Sequence, residues 1–228
     1  MTQNWNTLDE QWRKRYDAAQ FAACEAALDK ALHEQQTPDF ATLWRWARMS
    51  HFRAMQSLQA GDNAAARRHY AAGAQEATAA LRLRPNRVEG LFWHGVNTIE
   101  AARLSGKFNA MRVLSQATKE MEHAAQAQEE FYFAGPLRVL GRITHKKPLL
   151  LGGDINKAVA FFQRALQIVP QNSTTQLYLA EALLDDQQLR EARSVLGGII
   201  DAAPDPDWIW EQTRDKTLAQ ALLDKMDR

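Results

Sequence analysis

The sequence predicts an all-α chain of antiparallel helix hairpins stacked one on the next, and three observations predict it. Apolar residues recur three and four apart along most of the chain, the spacing of one helix face. Turn signals break the pattern repeatedly, at Thr37-Pro38-Asp39, Gly61-Asp62-Asn63, Pro85-Asn86, Pro148, Pro170 and Pro204. Finally, Ala158, Phe162, Ala165 and Pro170 return as Ala192, Leu196, Ile199 and Pro204, each 34 residues on.

A small–large–small apolar triplet closed by proline at that period is the tetratricopeptide pattern, whose hairpins stack into a superhelix. Residues 8–35 read as helix, bent near Tyr16-Asp17, with Phe21, Cys24, Leu28, Ala31 and Leu32 on one face. The turn at 36–39 closes it, because proline disfavours helix in its predecessor and Asp39 can cap the next start. Residues 40–59 form the second helix, with Leu43, Trp44, Ala47, Phe52 and Met55, and 64–84 the third, with Tyr70, Gly73, Ala77, Ala80 and Leu81. The next helices are expected at 88–105 and 108–130, and then at 137–145, where Pro136 takes the first-turn place that tolerates proline. Gly95, Gly141 and Ala180 fall where one helix of a hairpin must let its partner approach closely.

The Leu149-Leu150-Leu151-Gly152-Gly153 insert is longer and more apolar than an ordinary repeat turn. It lacks the Lys-Ser or Lys-Thr that a phosphate-cradling loop needs. Asp154 can cap a helix over 155–169, and Ser173 or Thr174 one reaching about residue 185. Gly197 and Gly198 lie inside the helix expected at 189–202. Interior glycines imply either fraying or a very close neighbouring helix. A last helix from Trp208 to about Met226 caps the stack. The expected organisation is a single helical-repeat domain over 1–228: N-terminal helices to about 38, repeat hairpins over 39–204, and the capping helix over 205–228.

Composition excludes several roles. A net charge of +1 in 228 residues gives no general electrostatic pull toward nucleic acid or a membrane. One cysteine forbids an internal disulfide and any multi-cysteine metal site. The six histidines, at 33, 51, 69, 94, 123 and 145, include no pair at helical ligand spacing, so no metal site is expected. No short-range set of nucleophile, base and orienting group is visible, and no catalytic residue or cofactor is assigned. His94 reads as a half-buried, hydrogen-bonded histidine or as a ligand contact. The opening residues carry no apolar export segment, which reads as cytoplasmic, or as periplasmic if such a segment has been removed.

Arg138, Arg142, His145 and Lys146 share one helix face in the register set by Gly141. Cations at a helix C-terminus complement its dipole, which is one account of them. The other is recognition of an anionic group beside an apolar wall, for which the arginine fork is suited. Phe92 and Val96 hold the matching places one hairpin earlier. Trp93, Asn97, Trp44 and Tyr178 complete the expected ligand- or partner-binding set.

Several longer segments carry a resemblance. They are Leu43-Trp44-Arg45-Trp46-Ala47-Arg48, the Tyr70-x-x-Gly73 helix leading to Ala80-Leu81 and Pro85-Asn86, and Gly90-Leu91-Phe92-Trp93-His94-Gly95-Val96-Asn97. To these add Gly135-Pro136-Leu137-Arg138-Val139-Leu140-Gly141, the Pro148…Gly153-Asp154 insert, Leu177-Tyr178-Leu179-Ala180-Glu181, and the Trp208…Glu211…Leu222-Leu223 helix. Together the chain resembles the T components (tetratricopeptide proteins) of TRAP transporters. That resemblance implies a non-catalytic protein that docks a periplasmic solute-binding protein, assembles as homo-oligomers and holds a hydrophobic small ligand in an apolar cavity. The competing expectation is a cytoplasmic tetratricopeptide scaffold for a peptide or other protein partner. A weaker similarity to helical domains of microtubule-dynamics regulators adds a lipid-binding reading. The peptide clamp of chaperone co-factors has no matching Lys/Asn pair here, since Asn97 falls one residue off register.

Overall fold

The structure, a computed structural model, describes residues 4–34 and 37–228. The helix end expected at Gln35 and Gln36 lies outside them. The described chain is all-helical: α1 (Trp5–Arg13), α2 (Ala18–Glu34), α3 (Phe40–Gln59), α4 (Asn63–Leu83), α5 (Val88–Leu104), α6 (Lys107–Gln128), α7 (Phe131–Lys146), α8 (Ile155–Ile168), α9 (Ser173–Asp185), α10 (Leu189–Asp201) and α11 (Ile209–Met226), with one 3-10 turn at Leu149–Leu151. The expected starts hold where a side chain can satisfy the free N–H groups of a first turn. Asp39 accepts from Thr42 N–H at 2.8 Å, and Asp154 from Lys157 N–H at 3.0 Å.

Two compact units emerge from the packing. One comprises residues 22–131, and the other residues 4–21 together with 132–228. In the first unit α3, α4, α5 and α6 pack each on the next, and α3 also touches α5. Its interior includes Ala54, Ala66 and Tyr70, then Val88, Leu91 and Ala124. Gly95 faces Met121 so closely that a Cβ there would stand 2.6 Å from the methionine methyl. In the second unit α8, α9, α10 and α11 pack in order, with α9 also against α11. The 34-residue triplets are the centre of this unit: Ala158, Phe162, Ala165, Ala192, Leu196 and Ile199 are all buried.

Three details depart from expectation. The cap of α9 is Asn172, which accepts from Thr175 N–H at 2.9 Å, while Ser173 and Thr174 turn their hydroxyls elsewhere. Gly197 and Gly198 neither fray α10 nor receive a neighbour, for the helix runs through them and a Cβ on either meets open space. At the start of α7, Tyr132, Phe133 and Ala134 have φ of 47°, 60° and 53°, making a left-handed turn before the right-handed helix begins beside Pro136. That conformation costs roughly 1–2 kcal/mol per non-glycine residue and persists only where surrounding contacts hold it.

Candidate binding site

The expected site residues divide between the units. In the first, Phe92 and Trp93 are buried and meet edge to face at 4.9 Å. Asn97 is also wholly buried. Its amide donates to the Ala47 and Trp93 carbonyls at 3.1 and 2.8 Å, and its oxygen lies 3.1 Å from His51 Nδ1. Gly73 makes room for it, since a Cβ there would fall 2.7 Å from the Asn97 amide. Asn97 thus ties α3 to α5 across a glycine on α4, a packing position rather than an open contact surface. Val96 is half-buried. Trp44 is half-buried too, with the guanidinium groups of Arg45 and Arg48 at 4.2 and 5.0 Å from its ring. His94 is a half-buried, hydrogen-bonded histidine, with Nδ1 2.7 Å from Glu120.

The second unit holds the charged members. Arg142 lies 4.3 Å over the Tyr178 ring and donates to Glu181 at 2.5 Å. His145 Nε2 is 2.8 Å from Asp185, which also accepts from Lys146 at 3.2 Å. Arg142, His145 and Lys146 therefore already have carboxylate partners on α9. Burial pushes His145 below its ordinary value, outweighing Asp185, and among the described residues its buried Nδ1 has no hydrogen-bond partner. Asp185 stays low despite its own desolvation, because His145 and Lys146 hydrogen-bond its charged form.

Arg138 is different. It is 6 % exposed, donates to the Phe133 carbonyl at 2.8 Å, and stacks 5.4 Å from the Trp208 ring. Among the described residues no carboxylate forms an ion pair with it. Burial lowers its pKa, opposed only at longer range by Tyr178, Tyr132, Asp215 and Glu211.

Around Arg138 lies a polar cluster that sequence patterns did not single out. Arg15, in the turn after α1, donates to both Glu211 oxygens at 2.7 and 2.8 Å, with both side chains almost fully buried. Asp215, wholly buried, accepts from Ser173 at 2.8 Å, Thr174 at 2.6 Å and Arg214 at 2.6 Å. Trp208 donates from its indole to Thr174 at 3.1 Å and packs against Phe133 at 4.6 Å. The only sequence signals were the paired serine and threonine at a helix start and the carboxylates on an otherwise apolar capping face. Tyr178 lies within electrostatic reach of both Arg138 and Arg214, so three arginines converge on one tyrosine.

In the first unit, a cleft of about 370 Å³ is lined by Ala22, Glu25, Ala26, Asp29, Trp46 and Arg53, none of them an expected site residue. Among the described residues no cluster of His, Cys, Asp or Glu could hold a metal ion, and no helix is long and apolar enough to cross a membrane.

Stacked helix hairpins with small–large–small triplets buried between them define a helical-repeat protein. The family model of the TRAP transporter T-component matches residues 11–228, and the chain belongs to that family. Among solved structures, a thermophilic TPR protein of Thermus thermophilus superposes with a TM-score of 0.66 at 18 % identity, covering 95 % of this chain and 98 % of that one. This likeness shows the tetratricopeptide-like fold. Yeast Tom70 matches at a TM-score of 0.40 and 13 % identity over 89 % of this chain and 44 % of its own, too weakly to carry an argument. No curated protein matches.

Proposed function

We propose that this protein is a non-catalytic docking component of a TRAP-type transport system, which engages a solute-binding protein and holds an anionic, partly apolar small molecule at the Arg138–Tyr178 face. The observation that carries this reading is Arg138, a buried guanidinium with no carboxylate pairing among the described residues. A buried cation without close compensation is costly, and an incoming carboxylate removes that cost through charge-assisted hydrogen bonds. Trp208, Phe133 and Tyr178 supply the apolar side that such a ligand's tail would need. Arg142 and Arg214 flank the site, each bound to a carboxylate, which leaves Arg138 as the uncompensated cation. Family membership supports the docking half of the reading.

The test is titration calorimetry with a fatty acid and with an acidic peptide, alongside capture of the solute-binding protein encoded nearest to this chain. Arg138→Gln with Arg142→Gln should weaken binding of the fatty acid at least tenfold, while helical content is unchanged. Unaltered affinity for every anion tried, in a folded double variant, rejects the ligand assignment. Failure to bind any neighbouring solute-binding protein rejects the docking half.

A further inference from the structure

Between α7 and α8 the chain presents three successive leucines to solvent. Leu149, Leu150 and Leu151 are 83, 98 and 44 % exposed. A lone exposed leucine is ordinary, but three in succession on one protruding turn form a contiguous apolar patch. The turn is tightly built. Leu151 and Gly153 N–H groups both donate to the Pro148 carbonyl, at 2.9 and 3.0 Å, and Gly152 N–H to Leu149 at 2.9 Å. Asp154 N–H ties the end of the turn back to Thr144 at 3.2 Å. Gly153 lies so close to the chain that a Cβ there would sit 1.8 Å from the Lys147 carbonyl oxygen. Pro148 has no N–H to satisfy. A turn that meets several of its own donors internally can leave water at reduced backbone cost.

Its flanks carry three lysines, Lys146, Lys147 and Lys157, against one adjoining exposed carboxylate, Asp154, which caps α8. Lys146 is engaged by Asp185 and Glu181. Lys147, half-buried, runs its ammonium alongside the turn, 3.8 Å from where a Gly152 Cβ would stand, and exposed Lys157 follows on the first turn of α8. A protruding apolar tip between two lysines is complementary to a bilayer surface, where leucines enter the acyl boundary and ammonium groups meet phosphates. A protein partner would have to offer a hole shaped to the tip; a lipid surface makes no such demand.

We propose that the 148–153 turn is a membrane-surface anchor. Leu149, Leu150 and Leu151 insert shallowly into a bilayer containing anionic phospholipid, and Lys147 and Lys157 lie at headgroup level. This contact is peripheral, and it does not depend on the docking and ligand reading above.

Cosedimentation of the full chain with vesicles tests it, comparing phosphatidylcholine alone with phosphatidylcholine mixed with phosphatidylglycerol. Partitioning should favour the mixed vesicles and fall with added salt. Leu149→Ser, Leu150→Ser and Leu151→Ser together should reduce it at least about tenfold with far-UV circular dichroism unchanged. Lys147→Gln should give an intermediate loss. A polarity-sensitive dye on Leu150→Cys should shift to the blue on mixed vesicles. Protein that stays in the supernatant, a triple variant that partitions fully, or a dye that does not shift would each overturn the proposal. So would self-association that the triple variant abolishes without any vesicle binding, since a second copy would then be what covers the leucines.

Discussion

Gly141 marks a close crossing in the second unit, because the position of its absent Cβ is 2.5 Å from the Phe162 ring. Gly141→Leu therefore overpacks the crossing, and the urea midpoint should fall by an amount equivalent to about 1–3 kcal/mol. Gly197 and Gly198 predict the opposite sign. Alanine at either meets open space in a continuous helix, and each should stabilise by about 0.5–1 kcal/mol, read as a higher melting temperature. His145 makes stability depend on pH. Burial holds its folded-state pKa below the ordinary 6.5. As pH falls through that ordinary value, the unfolded chain binds a proton that the folded chain refuses, so stability is lost on acidification. His145→Gln should flatten the dependence between about pH 7 and about pH 5, leaving the contributions of His69, which burial also lowers, and of Glu76, which burial raises and which acts with the opposite sign. An unchanged slope in denaturation curves at stepped pH would assign the dependence to other groups.

The hairpin elements were legible because their signals are local. Prolines, aspartate caps and small crossing residues act within a few positions, so α3, α8 and the Gly141 crossing follow from neighbours in the chain. The left-handed turn at 132–134 was not legible, since tyrosine, phenylalanine and alanine have no preference for positive φ. It is held by Trp208, far off in sequence, against Phe133, and by Arg138, one turn further along α7, on the Phe133 carbonyl. The Arg15–Glu211 pair was hidden for the same reason, its members being 196 positions apart. Of the expected site residues, Arg142 and Tyr178 meet as register places them, whereas Phe92, Trp93 and Asn97 are interior because packing between neighbouring helices, which one helix's pattern does not reveal, claims them. Glu211→Ala should cost roughly 3–5 kcal/mol, because it strips the carboxylate from a buried guanidinium. Amide exchange should accelerate first in α1 and the start of α11; protection unchanged at both would show that the pair does not fasten them.

At the scale of the molecule, the second unit is assembled from two separate stretches, with residues 4–21 joining 132–228. Deleting residues 1–21 removes Arg15 from Glu211 and from Trp208, which it approaches at 5.6 Å. Amide exchange should then quicken across 132–228, and a truncated chain that keeps full protection there would count against the discontinuous unit.

That arrangement also fixes an order of events at the ribosome. Translation delivers α1 early and α11 late, while stretches whose contacts are all local can settle as they emerge. Residues 22–131 can therefore fold during synthesis, but Trp12 and Arg15 must wait, aromatic and cationic surface bare, until Trp208 and Glu211 have left the exit tunnel. For most of its own production the chain carries an unmatched segment at its leading end. A pause in translation shortly before residue 208 would prolong that exposure, and nascent-chain chaperones should be found on α1 more than on α3.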